Sequence, residues 1–223
     1  MNFVIGIILM LVFGANMASN VGIISNPAQD INTMLQHLSL KAPSLDKNVL
    51  KLALKAYNKA KIAGLAKKPI LTVIDYSKPS SEQRMWVFDL AKDKLLFNTH
   101  VAHGKNSGGK VPNHFSNQDS SKETSLGTFV TKDTYIGSNG YSLNLEGLEK
   151  GFNDNAFKRR VVVHGSTYMS PDFIKSHGQA GRSWGCPAVA HALAKPIINT
   201  IKNGSVLFAY YPDKNYLSAS HYL

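Results

Sequence analysis

The spacing of apolar and polar positions divides the chain into a helical beginning and a strand-rich remainder. From Ser44 onward, Leu50, Ala53, Leu54 and Tyr57 recur at the i, i+3, i+4, i+7 spacing of one helix face, while Lys47, Lys51, Lys55 and Lys59 form a separate stripe. Gly64 can stop this helix, and a shorter helix is expected over 30–38. After Pro69 the period shortens. The runs 70–75, 84–90 and 94–102 predict strands, the last two joined as a hairpin through Ala91-Lys92-Asp93. Further strands are expected over 126–131, 141–145, 160–164 and 205–211, the last of them central. Residues 149–157 predict a short helix or loop, and 166–181 a loop. Pro187 is placed to open one helix and Pro196 a second, because proline at a first helical position has no amide hydrogen to lose. The stretch 212–223 predicts a loose tail. The fold class is therefore mainly β, a sandwich or mixed sheets, with an N-terminal helical segment and short helices after Cys186.

Length fits one catalytic or binding module: 223 residues, 43% hydrophobic, can bury a substantial core. The expected divisions are a signal peptide over 1–18, the helical segment over 19–66, the main domain over 67–212 and the tail over 213–223. Residues 1–13 form an apolar run too short to span a bilayer, and Gly14-Ala15-Asn16-Met17-Ala18-Ser19 follows it as the cleavage region of a secretory signal. The expected location is thus exported, periplasmic or cell envelope, with no stable membrane span after cleavage.

Charge adds a preference for anionic partners, since 25 Lys and Arg stand against 14 Asp and Glu. The basic residues are scattered, with runs only at Lys67-Lys68 and Lys158-Arg159-Arg160, and no nucleic-acid-binding motif accompanies them, so nucleic acid is not the expected partner. The stretch 103–125 is polar and rich in Gly, Ser and Asn. A loop of that length within a compact domain is often functional, and this one could line a substrate cleft with His103.

Cys186 is the one cysteine, so no intrachain disulfide can explain it. It follows Ser183-Trp184-Gly185, precedes Pro187, and lies downstream of His164-Gly165 at the end of the apolar run Val161-Val162-Val163. Such an arrangement suggests a nucleophile. A helix opening at Pro187 would favour the thiolate at its N-terminus, and His164 could approach across the sheet as base or imidazolium partner. Gly185 would let a carbonyl come close, and the amides of Gly185 and Cys186, within the turn that includes Trp184, could form an oxyanion hole. Zinc would need three or four regularly spaced ligands; one thiol without a tight histidine pair does not supply them, and no metal or cofactor is expected. Arg182 could hold a substrate carboxylate or brace its loop, while Arg159 and Arg160 read as a solvated face.

His164-Gly165 followed by Ser183-x-Gly185-Cys186 resembles the signature of L,D-transpeptidases with a YkuD-type catalytic domain. Val101-Ala102-His103-Gly104, Phe115-Ser116-Asn117, Ser125-Leu126-Gly127, Gly140-Tyr141-Ser142-Leu143 and Gly185-Cys186-Pro187-Ala188 are similar to the murein L,D-transpeptidase catalytic domain branch, over roughly 45–212. The resemblance implies a Cys186 nucleophile, a His164 base whose ring the Gly165 carbonyl orients, and Ser183 as a motif residue. Ser116 and Asn117 join Arg182 and His103 as possible substrate contacts. It further implies peptidoglycan stem peptides as partners, cleavage of the bond between a diamino acid and D-Ala through a thioester, and acylation of the cysteine by carbapenems. The acceptor would be an amine, or water in an L,D-carboxypeptidase; a non-catalytic murein-binding protein is the remaining alternative. Two positions depart from the common motif: Trp184 stands where a second histidine is usual, and Ala188 where Asn or Arg is usual.

Overall fold

A computed structural model describes residues 27–223, so the apolar run and the cleavage region lie outside the described residues. Among the described residues no helix is long and apolar enough to cross a membrane. The chain opens with two helices, α1 (Pro27–Lys41) and α2 (Lys47–Ile62). Asp46 caps α2: its carboxylate accepts from the amides of Asn48 at 2.7 Å and Val49 at 3.2 Å, groups that have no partner within the first turn. The predicted face of α2 is buried, with Leu50, Ala53, Leu54 and Tyr57 packed in the same core as the strands that follow.

Eight strands form one mixed sheet. They are β1 (Ile70–Asp75), β2 (Met85–Asp89), β3 (Lys94–Thr99), β4 (Gly127–Gly137), β5 (Gly140–Gly147), β6 (Val162–Ser166), β7 (Ala188–Ala190) and β8 (Val206–Tyr210). Their order is β3-β2-β1-β8-β4-β5-β6-β7, so β8 is central as its uninterrupted apolar run requires. The mainly β class with N-terminal helices is thus the observed one.

Three elements differ from expectation. The stretch 166–181 contains a 3-10 turn (Thr167–Met169) and α3 (Pro171–His177), capped by Ser170, whose hydroxyl accepts from the Phe173 amide at 3.2 Å. No helix begins at Pro187. The Cys186 carbonyl that would have started one accepts instead from the Ser183 hydroxyl at 2.6 Å and the Ala188 amide at 3.0 Å, and the next three residues enter the sheet as β7. One helix, α4 (His191–Ile201), then runs through Pro196. Losing one helical hydrogen bond there costs less than burying Ala194, Ile197, Ile198 and Ile201 against the sheet gains.

The tail is also ordered. Residues Lys214–Ala219 form α5, and buried Tyr216 donates to the Glu149 carboxylate at 3.0 Å, which also accepts from the Ser220 hydroxyl and from the Thr128 amide at 2.6 Å. Lys59 Nζ donates to the backbone oxygens of His221 and Leu223, at 2.8 and 3.0 Å. The C-terminal residues therefore join the helical start to the strand region.

Candidate active site

Cys186 and His164 are delivered by neighbouring segments at one edge of the sheet. β6 and β7 are parallel, with His164 opposite Ala188, Gly165 opposite Val189 and Ser166 opposite Ala190. This register puts Cys186 two residues before the partner of His164, a distance along the strand of about 6.6 Å at about 3.3 Å per residue. The sulfur accordingly meets the Val162 amide at 3.5 Å and the Arg160 carbonyl at 3.7 Å, and no hydrogen bond joins it to the imidazole among the described residues. Both side chains nevertheless line one cavity of about 490 Å³.

The His164 ring has a defined tautomer. Its Nδ1 lies 3.0 Å from the Gly165 carbonyl, which can only accept, so Nδ1 carries the proton and Nε2 the lone pair. Burial holds the imidazole below its ordinary pKa, the Gly165 carbonyl opposes that shift, and nearby His191 adds to it. Gly165 is required sterically as well, since a Cβ there would come within 2.8 Å of His191 Nδ1 and 3.0 Å of Ala194 Cβ. On the other side, burial pushes the Cys186 thiol up, while the Val162 amide and the Arg159 guanidinium pull it partly back. The expected helix N-terminus is absent from this balance. Both shifts favour the uncharged forms, thiol and imidazole, a combination suited to general-base attack more than to a preformed thiolate–imidazolium pair.

Ser183 shapes the turn. Buried, it donates to the Cys186 carbonyl and accepts from the Gly185 amide at 3.0 Å. The Gly185 amide is thereby taken, which in this conformation removes it from the pair of amides expected to hold an oxyanion. Gly185 has φ +119°, and a Cβ on it would meet the Glu123 carbonyl at 2.6 Å, so the position admits only glycine. Trp184 is 71% exposed at the cavity rim, with Lys122 Nζ 4.8 Å and Lys105 Nζ 6.0 Å from its ring centroid.

The remaining expected residues separate. Arg182 lines the cysteine cavity, its Nη1 donating to the Gly108 carbonyl at 3.1 Å. Ser116 and Asn117 do not; they line a different cavity with Phe152 and Tyr216, where Asn117 donates to Asp154 at 2.7 Å and accepts from the Asn155 amide at 3.0 Å. His103 is 0% exposed and packed under the long loop, where Nδ1 accepts from Arg84 Nη2 at 2.7 Å and Nε2 donates to the Gly108 carbonyl at 3.4 Å. Burial and the adjacent Arg84 lower its pKa to about 4. Arg84, itself buried, also donates to the carbonyls of Val101 and Lys78, and so ties the residues just before the loop to the connection between β1 and β2.

Arg159 departs from the expected solvated face, whereas Arg160 is exposed. Arg159 is half-buried and donates to the Ser116 and Glu123 carbonyls at 2.7 and 2.8 Å, and to the Ser125 and Ser121 hydroxyls at 2.5 and 3.0 Å. Arg160 lines the cavity and has φ +55°. Tyr168 from the 3-10 turn, and Ser138 and Asn139 from the β4–β5 hairpin tip, complete the wall. Nothing in the local pattern marks these residues, because their proximity depends on strand pairing between distant segments.

A family model described as L,D-transpeptidase catalytic domain matches residues 41–210. No curated protein matches the chain. Similar solved structures include an L,D-transpeptidase from Mycobacterium smegmatis, 16% identical, covering 64% of this chain and 59% of that one at a TM-score of 0.39. Another is an L,D-transpeptidase from Stackebrandtia nassauensis, 14% identical, covering 83% of this chain and 80% of that one at a TM-score of 0.37. The chain thus spans 59% of the length of the mycobacterial protein.

Proposed function

From the premise that the chain belongs to the L,D-transpeptidase catalytic domain family, we propose that it is an exported cysteine acyltransferase acting on the stem tetrapeptides of peptidoglycan, with 67–212 as its catalytic region. The observation that carries this reading is the placing of Cys186 and His164 on one cavity, with the imidazole neutral and its Nδ1 tied to Gly165. Cys186 Sγ attacks the carbonyl between the diamino acid and the terminal D-Ala as its proton passes to His164 Nε2. The tetrahedral intermediate collapses by breaking the C–N bond; D-Ala leaves with the proton returned from His164, and a thioester remains. Rotation of the Cys186 side chain away from the Val162 amide would bring the sulfur toward the imidazole, a change that substrate binding can drive. The Cys186 amide is retained as an oxyanion donor; Gly185 would contribute only if Ser183 released it.

An amine from a neighbouring stem would resolve the thioester as a crosslink, and water would release a tripeptide. A specific observation favours water as a second reading. Among the described residues arginines and no carboxylate line the cavity, so an ammonium acceptor enters against like charge. Incubating the protein with purified disaccharide tetrapeptide and weighing the products distinguishes these outcomes: loss of D-Ala alone indicates water, and a dimer lighter by one D-Ala indicates transfer. Cys186→Ala is expected to abolish both, and wild-type turnover in that variant would refute the mechanism.

A further inference from the structure

The three arginines around the thiol differ in what the protein already uses them for. Arg159 spends its guanidinium on four bonds to the 116–125 loop. The Arg160 guanidinium has no hydrogen-bond partner among the described residues, although its backbone carbonyl faces the sulfur. Arg182 uses one nitrogen, Nη1, on the carbonyls of Lys105 and Gly108 at 3.4 and 3.1 Å. Arg160 and Arg182 are both exposed, line the cavity that contains Cys186, and approach it from the two segments that hold the thiol. Among the described residues no Asp or Glu lines that cavity; Asp119 and Glu123 act electrostatically on Arg159 without lining it.

From this division we infer that Arg160 and Arg182 form a carboxylate clamp, so that the site takes acyl-donor peptides bearing free carboxylates and discriminates against the same peptides with those groups amidated. Arginine offers paired N–H donors that match a carboxylate oxygen for oxygen, whereas a carboxamide presents one acceptor and an NH₂ that opposes the guanidinium. One arm would hold the C-terminal carboxylate beside the scissile bond, and the other a free carboxylate further along the stem. Arg159, whose Nη1 and Nη2 are both committed to the 116–125 loop and whose unpaired Nε is buried, builds the wall and does not join the clamp. The inference rests on the reading of the cysteine site given above.

The test measures binding apart from turnover. Cys186→Ala protein is titrated calorimetrically with an N-acetylated stem tetrapeptide carrying free carboxylates and with its carboxamide counterpart; kcat/KM for both peptides is measured with the protein carrying Cys186. The free acid is expected to bind about five- to tenfold more tightly, the range for charge-assisted pairs at a partly exposed site. Arg160→Gln and Arg182→Gln should each weaken binding of the free acid and shrink the preference, with the melting temperature unchanged. Equal affinity for the two peptides, no binding of the free acid, or a preference that survives in the double variant would overturn the clamp. If turnover is absent while the preference persists, the transferase reading falls and the clamp stands. Turnover with equal kcat/KM for both peptides removes the clamp alone.

Discussion

Two histidines of this chain share a low pKa and differ in everything that would make one of them a base. His164 and His103 are both buried, and in both burial is the first cause of the shift. In His103 each nitrogen is occupied, Nδ1 by Arg84 and Nε2 by the Gly108 carbonyl, so the ring ties a buried guanidinium to a loop. In His164 only Nδ1 is occupied, and the ring lines the cavity that contains the thiol. A depressed pKa therefore identifies a desolvated ring. The nitrogen left over decides whether that ring can move a proton.

The largest test of this contrast is His164→Ala, expected to reduce D-Ala release by about 10²–10⁴-fold, the usual contribution of a general base. A loss below tenfold would remove His164 from the base role. Next comes the pH dependence of stability. His103 has a folded pKa of about 4 against an ordinary value of about 6.5, so the unfolded chain binds the extra proton between those values. Its contribution is fully present above about pH 6.5 and is lost as pH falls toward about 4, on the order of 3 kcal/mol, measurable by urea denaturation across that range. A His103→Asn variant should show a flatter profile.

His103→Ala at neutral pH is a somewhat smaller change. It strands one Arg84 donor in the interior, costing about 1–3 kcal/mol and lowering the melting temperature by several degrees, while kcat/KM stays within a few-fold of wild type. The smallest effect concerns the thiol. Because burial raises the Cys186 pKa, alkylation by iodoacetamide at neutral pH should be a few-fold slower than for free cysteine and should rise with pH to a midpoint above the ordinary thiol value. Rapid alkylation with an acidic midpoint would instead indicate a preformed ion pair and reverse the proton order of the mechanism.

Much of this was legible residue by residue. The α2 face, the hairpin over Ala91-Lys92-Asp93 and the centrality of β8 follow from periods of 3.6 and 2 and from an unbroken apolar run. Cys186 and His164 stood out because a lone cysteine without a disulfide role and a histidine at the end of an apolar run need a reason. Pro187 was misleading: its local preference for a first helical turn is real, but the Ser183 hydroxyl captures the carbonyl that such a turn requires. Arg159 was misread because four of its hydrogen-bond partners lie 34–43 residues away in the chain. His103 looked accessible because its polar loop suggested solvent, whereas its ring is fully covered and bonded to the buried Arg84.

By itself, then, the sequence determined the fold class, the helical start, most of the strands and the choice of Cys186 and His164 as the pair proposed to react. These depend on local periodicity and on residue chemistry, which do not require knowledge of partners. Only the tertiary structure decided that Cys186 ends in a strand-bound turn without a helix dipole, that the Gly185 amide is already spoken for, and that Arg160 and Arg182 keep exposed donors while the one unpaired donor of Arg159 is buried. Each of those facts is a hydrogen bond made or left unmade between segments far apart in the chain, and strand register, which local pattern does not specify, fixes which of them form.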